Sequence, residues 1–466
     1  MVSLRSLSNP LASWTAAALL AGVVATWCSP EAARAGALQD AQAAFDKQQY
    51  DRALQLLAPL EKSGQVAPDV RRLKIRALAR SGRPLDALAE YDLLAPPGKP
   101  DDRPLLREVS FGFIVPLFKD MRVQMRGAGF TALKEIESEE SVPYFEDGLT
   151  DGAGQVRALA AEGLGQFETG RRSPRLKSAL EDQAAYVRKY AVRALGKSGD
   201  RSMVGLIEKS LQDEEPIVRV SAAGALAMLN QPAGWERLGQ SAKSANPDER
   251  SAALLTLGSL KRSASFPEFE AAAGDRQPSV RAAAMTGMGD LGDRKAGPIL
   301  LKALHDPIPG VRGAAVISLG KLHYTDARKD VAGILEDKNP GVRADAVAVL
   351  LEFGEPYDKV AGTVRELTGD KEPSIRARVA RSLSKGQGGS LEEAIGGLRL
   401  LLQDALPLPR MAAARALGHT RSPRALAILK GTLRDGDEAV RATAAGALIR
   451  VLDGKAGPPK DGPSEG

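Results

Sequence analysis

The sequence predicts an all-α protein, an α-solenoid in which about eleven short helical hairpins stack into a superhelix, preceded by two further helix pairs. Two observations carry this prediction. Arginines recur in register, and eight of the ten intervals between them are 31 residues. An aspartate stands six residues before ten of the eleven arginines, and the exception is Ser244. A period between 20 and 50 residues is typical of solenoids, in which each repeat packs only against its neighbours.

The recurring Asp and Arg positions are interpreted as a structural ladder that ties successive repeats together through charge-assisted hydrogen bonds. The alternative is a charged binding stripe, which we disfavour because a bound partner is not periodic and its binding surface should vary. The first repeat contributes Asp120 and Arg126, and Arg250 follows Ser244. The remaining members are Asp151, Arg157, Asp182, Arg188, Asp213, Arg219, Asp275, Arg281, Asp306, Arg312, Asp337, Arg343, Asp370, Arg376, Asp404, Arg410, Asp435 and Arg441.

Each arginine lies in a predicted second helix of its hairpin. Val or Ile usually precedes it, Ala or a similar residue follows three later, and Leu or Met seven later, so one helical face is apolar. Seven consecutive repeats, from Pro216 to Pro407, place proline three residues before the arginine, where it fits the first turn of a helix. Eleven layers at about 8 to 10 Å each predict a curved rod that extends on the order of 100 Å.

The consensus D-x-x-P-x-V-R-x-x-A-x-x-x-L-G, carried by residues 105–452, resembles the HEAT-like repeat of phycocyanobilin lyases and of many bacterial scaffold proteins. The resemblance implies the helical-repeat fold. It does not decide the function, because members range from binding scaffolds to a few enzymes.

Residues 1–35 are predicted to be a secretory signal, which would place the protein in a bacterial periplasm or cell envelope. Arg5 precedes an apolar run from Trp14 to Cys28, and the small-residue pattern Ala33-Arg34-Ala35 suggests cleavage before Gly36. The alternative is an uncleaved N-terminal segment that anchors the protein. A lipoprotein signal at Cys28 is disfavoured, because bulky Trp27 stands where such signals need a small residue.

The flanking segments have different patterns. Residues 37–95 contain two copies of a motif at an offset of 34, which resembles the tetratricopeptide repeat and predicts four helices. Residues 96–104, rich in Pro, Gly and charge, are a predicted linker. Residues 453–466 lack apolar periodicity and are predicted to be disordered.

Three other stretches depart from the period. The apolar segment 111–118 is interpreted as core, the alternative being an exposed partner groove. Insertions lie near residues 352–357 and 385–390. The simplest interpretation is a longer connection on one face, and the alternative is a hinge at the glycine-rich second insertion.

The sequence shows no motif that is typical of a catalytic or metal-binding site. His305, His323 and His419 form no metal-binding motif, and Cys28 is the only cysteine. No phosphate-binding loop or hydrolase nucleophile motif occurs. The sequence therefore predicts a non-enzymatic protein without a cofactor or metal. The net charge of +6 and the scarcity of aromatic residues make a nucleic-acid partner an alternative rather than the main prediction.

Variation among the repeats indicates a contact surface. Positions one, two and five after the arginine are mostly small, but they become large or charged in two places. We predict that these residues line the concave face and bind an acidic or mixed protein partner. The predicted function is thus a monomeric protein-interaction scaffold; the alternatives are an enzyme of the bilin-lyase kind and a helical-repeat nucleic-acid binder. The candidate contact residues are Lys189, Tyr190, Arg193, Arg378, Arg381, Met411 and Arg415.

Overall fold

The computed structural model describes residues 30–61, 66–96, 98–420 and 422–454. Within these ranges the chain forms 27 α-helices and several short 3-10 turns, and no strand. Residues 1–29 of the predicted signal and residues 455–466 of the predicted tail lie outside the described residues. Contacts divide the chain into two units, with the boundary between Gly112 and Phe113.

The first unit consists of two antiparallel helix pairs and a fifth helix. Tight turns join the pairs, and positive φ angles at Gln48 and Gly82 reverse the chain at equivalent points. The fifth helix packs on the third and fourth, and Gly112 lies so close to Ala79 that a Cβ atom there would be 2.9 Å from the Ala79 carbonyl oxygen. These helices are α1 (Pro30–Asp46), α2 (Tyr50–Glu61), α3 (Pro68–Arg80), α4 (Pro84–Leu94) and α5 (Arg103–Gly112).

The second unit contains eleven second helices, one for each ladder arginine. Seven of them begin at the repeated proline, as the missing N–H and fixed φ of proline favour. They are α6 (Val123–Ile136), α8 (Gly154–Leu164), α11 (Ala185–Lys197), α13 (Pro216–Met228), α15 (Pro247–Ser259), α17 (Pro278–Leu291), α19 (Pro309–Lys321), α21 (Pro340–Glu352), α23 (Pro373–Leu383), α25 (Pro407–His419) and α27 (Glu438–Leu452).

The first helices of the hairpins are shorter, and several begin or end in a 3-10 turn. The third hairpin has two such short helices, and the first hairpin has only the 3-10 turn Val115–Lys119 in this place. The helices are α7 (Val142–Gly148), α9 (Glu168–Arg171), α10 (Arg175–Ser178), α12 (Val204–Lys209), α14 (Pro232–Ser241), α16 (Phe266–Ala272), α18 (Gly297–Ala303), α20 (Arg328–Gly333), α22 (Asp358–Thr368), α24 (Leu391–Leu401) and α26 (Arg424–Thr432). The all-α solenoid predicted from the sequence is confirmed.

Small residues let neighbouring second helices approach closely. A Cβ atom at Gly196 would lie 2.6 Å from the Cα atom of Ala225, and one at Gly258 would lie 2.6 Å from the Cα atom of Gly287. The second helices pack on one another much more extensively than the first helices do. In a curved array the more closely packed layer is at the smaller radius, so the second helices form the inside of the curve and the first helices the outside.

The second unit closes on itself. Helix α27 packs side by side with α6, as each second helix packs with the next. Arg122 at the start of α6 pairs with Glu438 at the start of α27, and Glu137 just after α6 pairs with Arg450 near the end of α27. Both pairs join like ends of the two helices, so the closure has no shift along the helix axes. The predicted extended rod is therefore wrong, and the eleven hairpins form a closed ring.

The irregular segments have structural roles in this unit. Ile114 and Leu117 are buried, and the ring of Phe118 lies 4.7 Å from that of Phe130, so the apolar segment from Phe113 onward forms core. The two insertions bond to each other: Gln387 donates a hydrogen bond to the Glu352 carbonyl (2.8 Å), and Ser390 donates one to the Glu355 carbonyl (3.0 Å). Such mutual bonding fits the longer connection better than the hinge.

Candidate functional site

The arginines of the ladder have one repeated bonding pattern. In Arg281, one guanidinium nitrogen donates to the backbone carbonyl of its own Asp275 (2.9 Å), and two others donate to the carboxylate of Asp306 in the next repeat (2.7 and 2.9 Å). Each aspartate also accepts a backbone N–H in its own turn, as Asp306 does from Ile308 at 2.9 Å. The pairs are Arg126–Asp151, Arg157–Asp182, Arg188–Asp213, Arg250–Asp275, Arg281–Asp306, Arg312–Asp337, Arg376–Asp404 and Arg410–Asp435.

Bidentate pairing holds the ladder aspartates in their charged form. Hydrogen bonds from Arg157 and from the Ala184 N–H lower the pKa of Asp182 against the opposing effect of burial. The same combination lowers the pKa of Asp306 and of Asp404. The ladder arginines are thus occupied in holding layers together, and they offer few free donors to a partner.

The ladder is interrupted at three junctions. Arg219 meets Ser244 instead of aspartate and approaches Glu249 at 3.8 Å. Arg343 pairs with Glu366 at 2.7 Å rather than with Asp370. Ring closure places Arg441 beside the first repeat, but Asp120 there accepts hydrogen bonds from Arg122 instead. These breaks divide the eleven repeats into blocks of four, four and three.

The inner face of the ring is defined here as the side of the second helices that turns away from the first helices. It is formed by the positions two before and one, two and five after each ladder arginine. Most of these positions carry small residues, such as Gly127, Ala158, Ala282 and Gly313. Larger side chains therefore mark places where the inner face departs from a smooth lining.

The first departure is on α11, where Tyr186, Lys189 and Tyr190 lie close together. The Lys189 ammonium stands 5.3 Å from the ring centre of Tyr186 and 5.0 Å from that of Tyr190. Burial lowers the pKa of Lys189, and the nearby Arg193 lowers it further. The groove beside these two rings, which we call the tyrosine groove, has a volume of about 560 Å³. It is lined by residues that include Val123 and Gly127 of α6, Leu159 of α8, Ala184 just before α11, and Tyr186 and Tyr190 of α11.

The second departure lies on α23 and α25, and most of its charges are paired. Arg378 makes two hydrogen bonds to the carboxylate of buried Asp345 (2.7 and 2.5 Å). Burial raises the pKa of Asp345, although Arg378 opposes this shift. Arg415 lies 2.9 Å from Glu135 across the closure of the ring. Of the four residues predicted here, Arg381 is exposed and Met411 half-buried, whereas Arg378 and Arg415 already have carboxylate partners.

Sequence reasoning missed several residues at these places. Tyr186 supplies one of the two rings beside Lys189, and it was recognisable as the large aromatic residue at a position that is mostly small or polar. Asp345 was recognisable as the acidic residue at the position held by Ala in several repeats. His419, which belongs to no metal-binding motif in the sequence, is half-buried, and its Nε2 atom lies 3.1 Å from Glu135. Glu135 carried no periodic signal, because its partners come from the opposite end of the unit.

Two larger clefts lie among the outer, first helices. One of about 790 Å³ is between α24 and α26, where Glu392 and Arg424 pair with each other, and one of about 800 Å³ adjoins the two insertions. Across the described ranges, no group of three or more His, Cys, Asp or Glu side chains is arranged to hold a metal ion. None of the described helices combines the length and the apolarity needed to cross a membrane.

Comparison with known proteins identifies the repeat. A family model described as HEAT repeats matches residues 173–258, 235–320, 297–384 and 360–450, which together span more than half of the chain. No protein with a curated description matches the chain.

Solved structures resemble the chain in fold alone. Human deoxyhypusine hydroxylase is 21% identical, with 53% of this chain and 96% of that chain covered and a TM-score of 0.27. The complex of CpcE and CpcF of phycocyanin lyase from Nostoc is 22% identical, with 56% and 92% covered and a TM-score of 0.29. An engineered protein is 17% identical, with 75% and 100% covered and a TM-score of 0.26.

Proposed function

The chain belongs to the HEAT repeat family, and from that premise we propose that it is a non-catalytic scaffold of a bacterial cell envelope that binds a protein partner on the inner face of its ring. HEAT repeats commonly mediate protein interactions. The observation that carries the proposal is the tyrosine groove, where aromatic and cationic side chains replace the small residues that line most of the inner face.

The shape of the ring supports a binding role. Eleven helices at about 9 Å spacing give a circumference of roughly 100 Å and a diameter of about 30 Å between opposite helix axes. After allowance for the helices themselves, an opening of about 20 Å remains, which is enough for an extended segment or a single helix. Partners of repeat proteins bind such continuous surfaces through many contacts along the array.

Photocrosslinking in intact cells of the source organism tests the binding face. Benzoylphenylalanine would replace Tyr186 on the inner face, which is 57% exposed, or Leu400 on the outer helix α24, which is 59% exposed. We expect a reproducible crosslinked protein from position 186 and none from position 400. A partner captured only at position 400 would contradict the proposal, and equal exposure makes the two positions a matched pair.

The export part of the proposal is tested separately. Helix α1 begins at Pro30, so cleavage before Gly36 would leave the mature chain starting inside this helix. Mass spectrometry of the protein isolated from its source should find Gly36 as the first residue. An intact N-terminus on protein in the cytoplasmic fraction would rule out export, whereas an intact N-terminus on membrane-bound protein would favour the anchored alternative.

A further inference from the structure

Some of the positively charged side chains on the inner face are paired with a carboxylate, and others are not. Lys134 pairs with Glu162, and Arg378 and Arg415 each contact a carboxylate. Lys189 and Arg193, on one face of α11, have no carboxylate within ion-pair distance among the described residues. The nearest carboxylate is that of Glu162, which lines the tyrosine groove and acts against the lowered pKa of Lys189, but Glu162 is paired with Lys134. Two adjacent cations, Lys189 and Arg193, thus face the ring interior without a carboxylate in direct contact among the described residues.

The side chain of Lys189 packs against its neighbours. A lysine side chain normally extends its ammonium group into water, whereas that of Lys189 is half-buried beside two tyrosine rings. Ring faces attract a cation, but they supply no hydrogen-bond acceptor comparable to a carboxylate. Three N–H donors are therefore held at the edge of the groove, and a bound anion would gain their hydrogen bonds.

Apolar surface adjoins this charge. The tyrosine groove runs from α11 across Leu159 to Val123, and Gly127 leaves its floor open, since a Cβ atom there would meet only the Leu159 side chain at 3.7 Å. All of its lining residues come from α6, α8, α11 or the residue just before α11. A ligand that fills it needs an apolar group within a few ångströms of a negative charge.

We propose that the tyrosine groove binds an acidic peptide segment of a partner protein, with an Asp or Glu carboxylate contacting Lys189 and Arg193 and a neighbouring apolar side chain between Leu159 and Tyr190. This inference rests on the proposed function, whose binding face it specifies. A nucleic acid fits less well, because such binding requires many phosphate contacts and most ladder arginines are already paired with aspartates.

Binding of defined peptides to the full chain tests the proposal. The probe is a fluorescein-labelled peptide of alternating glutamate and phenylalanine, about twelve residues long, and the comparison peptide has lysine for glutamate. Fluorescence anisotropy should show binding of the acidic peptide that weakens at least tenfold in Lys189→Met/Arg193→Gln. The matched control is Lys177→Met/Lys209→Gln, which removes two exposed cations from first helices and should leave binding unchanged.

A charge reversal keeps the proposal testable if the double variant folds poorly. Arg193 is exposed, so Arg193→Glu should fold normally, bind the acidic peptide more weakly and bind the lysine peptide more tightly than the wild-type chain does. Equal binding of both peptides to wild type, or equal losses in the inner and outer double variants, would overturn the proposal. Tighter binding of a single-stranded oligonucleotide that also depends on Lys189 and Arg193 would overturn it in favour of a nucleic acid.

The crosslinking experiment separates this inference from the proposed function. If position 186 captures a partner whose crosslinked segment is basic or uncharged, the scaffold proposal stands and the acidic-peptide inference fails. If position 186 captures nothing while position 400 does, both fail. A captured segment rich in Asp or Glu that competes with the acidic probe supports both.

Discussion

The fifth repeat differs from the other repeats at two positions whose side chains contact each other. It has Ser244 where other repeats have aspartate, and Glu249 where they have an apolar residue such as Val280. Glu249 is buried and accepts hydrogen bonds from Ser241 (2.9 Å) and Ser244 (3.0 Å), while Arg219 lies 3.8 Å away. The carboxylate facing Arg219 has moved from the turn to the helix, so positions 244 and 249 form a coupled pair.

We predict strong non-additivity between these two positions. Ser244→Asp alone should destabilise the protein by about 1 kcal/mol or more, because the new carboxylate would lie beside that of Glu249. The double variant Ser244→Asp/Glu249→Val restores the repeat pattern and should be at least as stable as wild type, since Arg219 gains a bidentate partner. Urea denaturation followed by circular dichroism measures both. Effects that simply add would show that the two residues are independent.

Stability should fall in acid because of the ladder. The pKa values of Asp182, Asp306 and Asp404 lie below the ordinary value, and hydrogen bonds from Arg122 lower the pKa of Asp120 to about 2. A carboxyl with a depressed folded-state pKa contributes stability that is complete above the unfolded pKa near 4 and is lost as the pH falls toward the folded value.

The thermal midpoint should therefore change little between pH 7 and 5 and should drop steadily between about pH 4 and pH 2. Differential scanning calorimetry at constant ionic strength would measure it. Asp345 acts in the opposite direction, because its raised pKa favours the protonated form in the folded state. A midpoint that is flat from pH 5 to pH 2 would mean that the ladder aspartates contribute little.

Helix packing at the closure depends on one small residue. A Cβ atom at Gly446 in α27 would lie 2.5 Å from the Ala132 carbonyl oxygen in α6, so backbone must move to admit it. In α26, a Cβ atom at Gly431 would meet nothing within 4 Å. Alanine normally stabilises a helix by roughly 0.5 to 1 kcal/mol relative to glycine. We predict that Gly431→Ala raises the thermal midpoint and that Gly446→Ala lowers it; a rise in both would show that α6 and α27 are not packed closely.

The elements themselves were readable from the sequence because each depends on local chemistry. Prolines such as Pro309 and Pro340 begin helices, and the aspartates before them accept turn N–H groups, as the period alone predicts. The paired state of Arg378 and Arg415 was not readable. Their partners, Asp345 and Glu135, lie in other repeats, and the spacing of a repeat does not reveal which side chains face each other across it.

Closure of the ring could not be derived from the period, because it depends on how small rotations accumulate. Eleven repeats close if each turns by about 33°, and a slightly different angle or a rise along the axis would give an open superhelix. One signal pointed to closure. A terminal repeat of an open solenoid needs a polar outer face, yet the last helix, α27, carries Ala439, Ala442, Thr443 and Gly446, all of them buried.

Closure can be measured with two labels on either side of it. Met121, which is 95% exposed, and Gly436 lie beside the Arg122–Glu438 pair. Cysteines at these positions, with Cys28 replaced by serine, accept a fluorescent donor and acceptor. In the ring the labels are neighbours and energy transfer should be nearly complete, whereas the ends of an open eleven-layer rod would be about 100 Å apart.

The variant Glu135→Lys/Glu137→Lys should open the ring and abolish the transfer. It places ammonium groups beside Arg415 and the buried Arg450 in place of the carboxylates that they contact, and like charges at such short distances repel each other. Glu208→Lys/Glu270→Lys, on outer helices, makes the same change in charge without touching the closure and should leave the transfer intact. Low transfer in the labelled protein without these charge changes would show that the solenoid is open. The tyrosine groove would then lie on an open concave surface, and a partner would not need to pass through a closed opening.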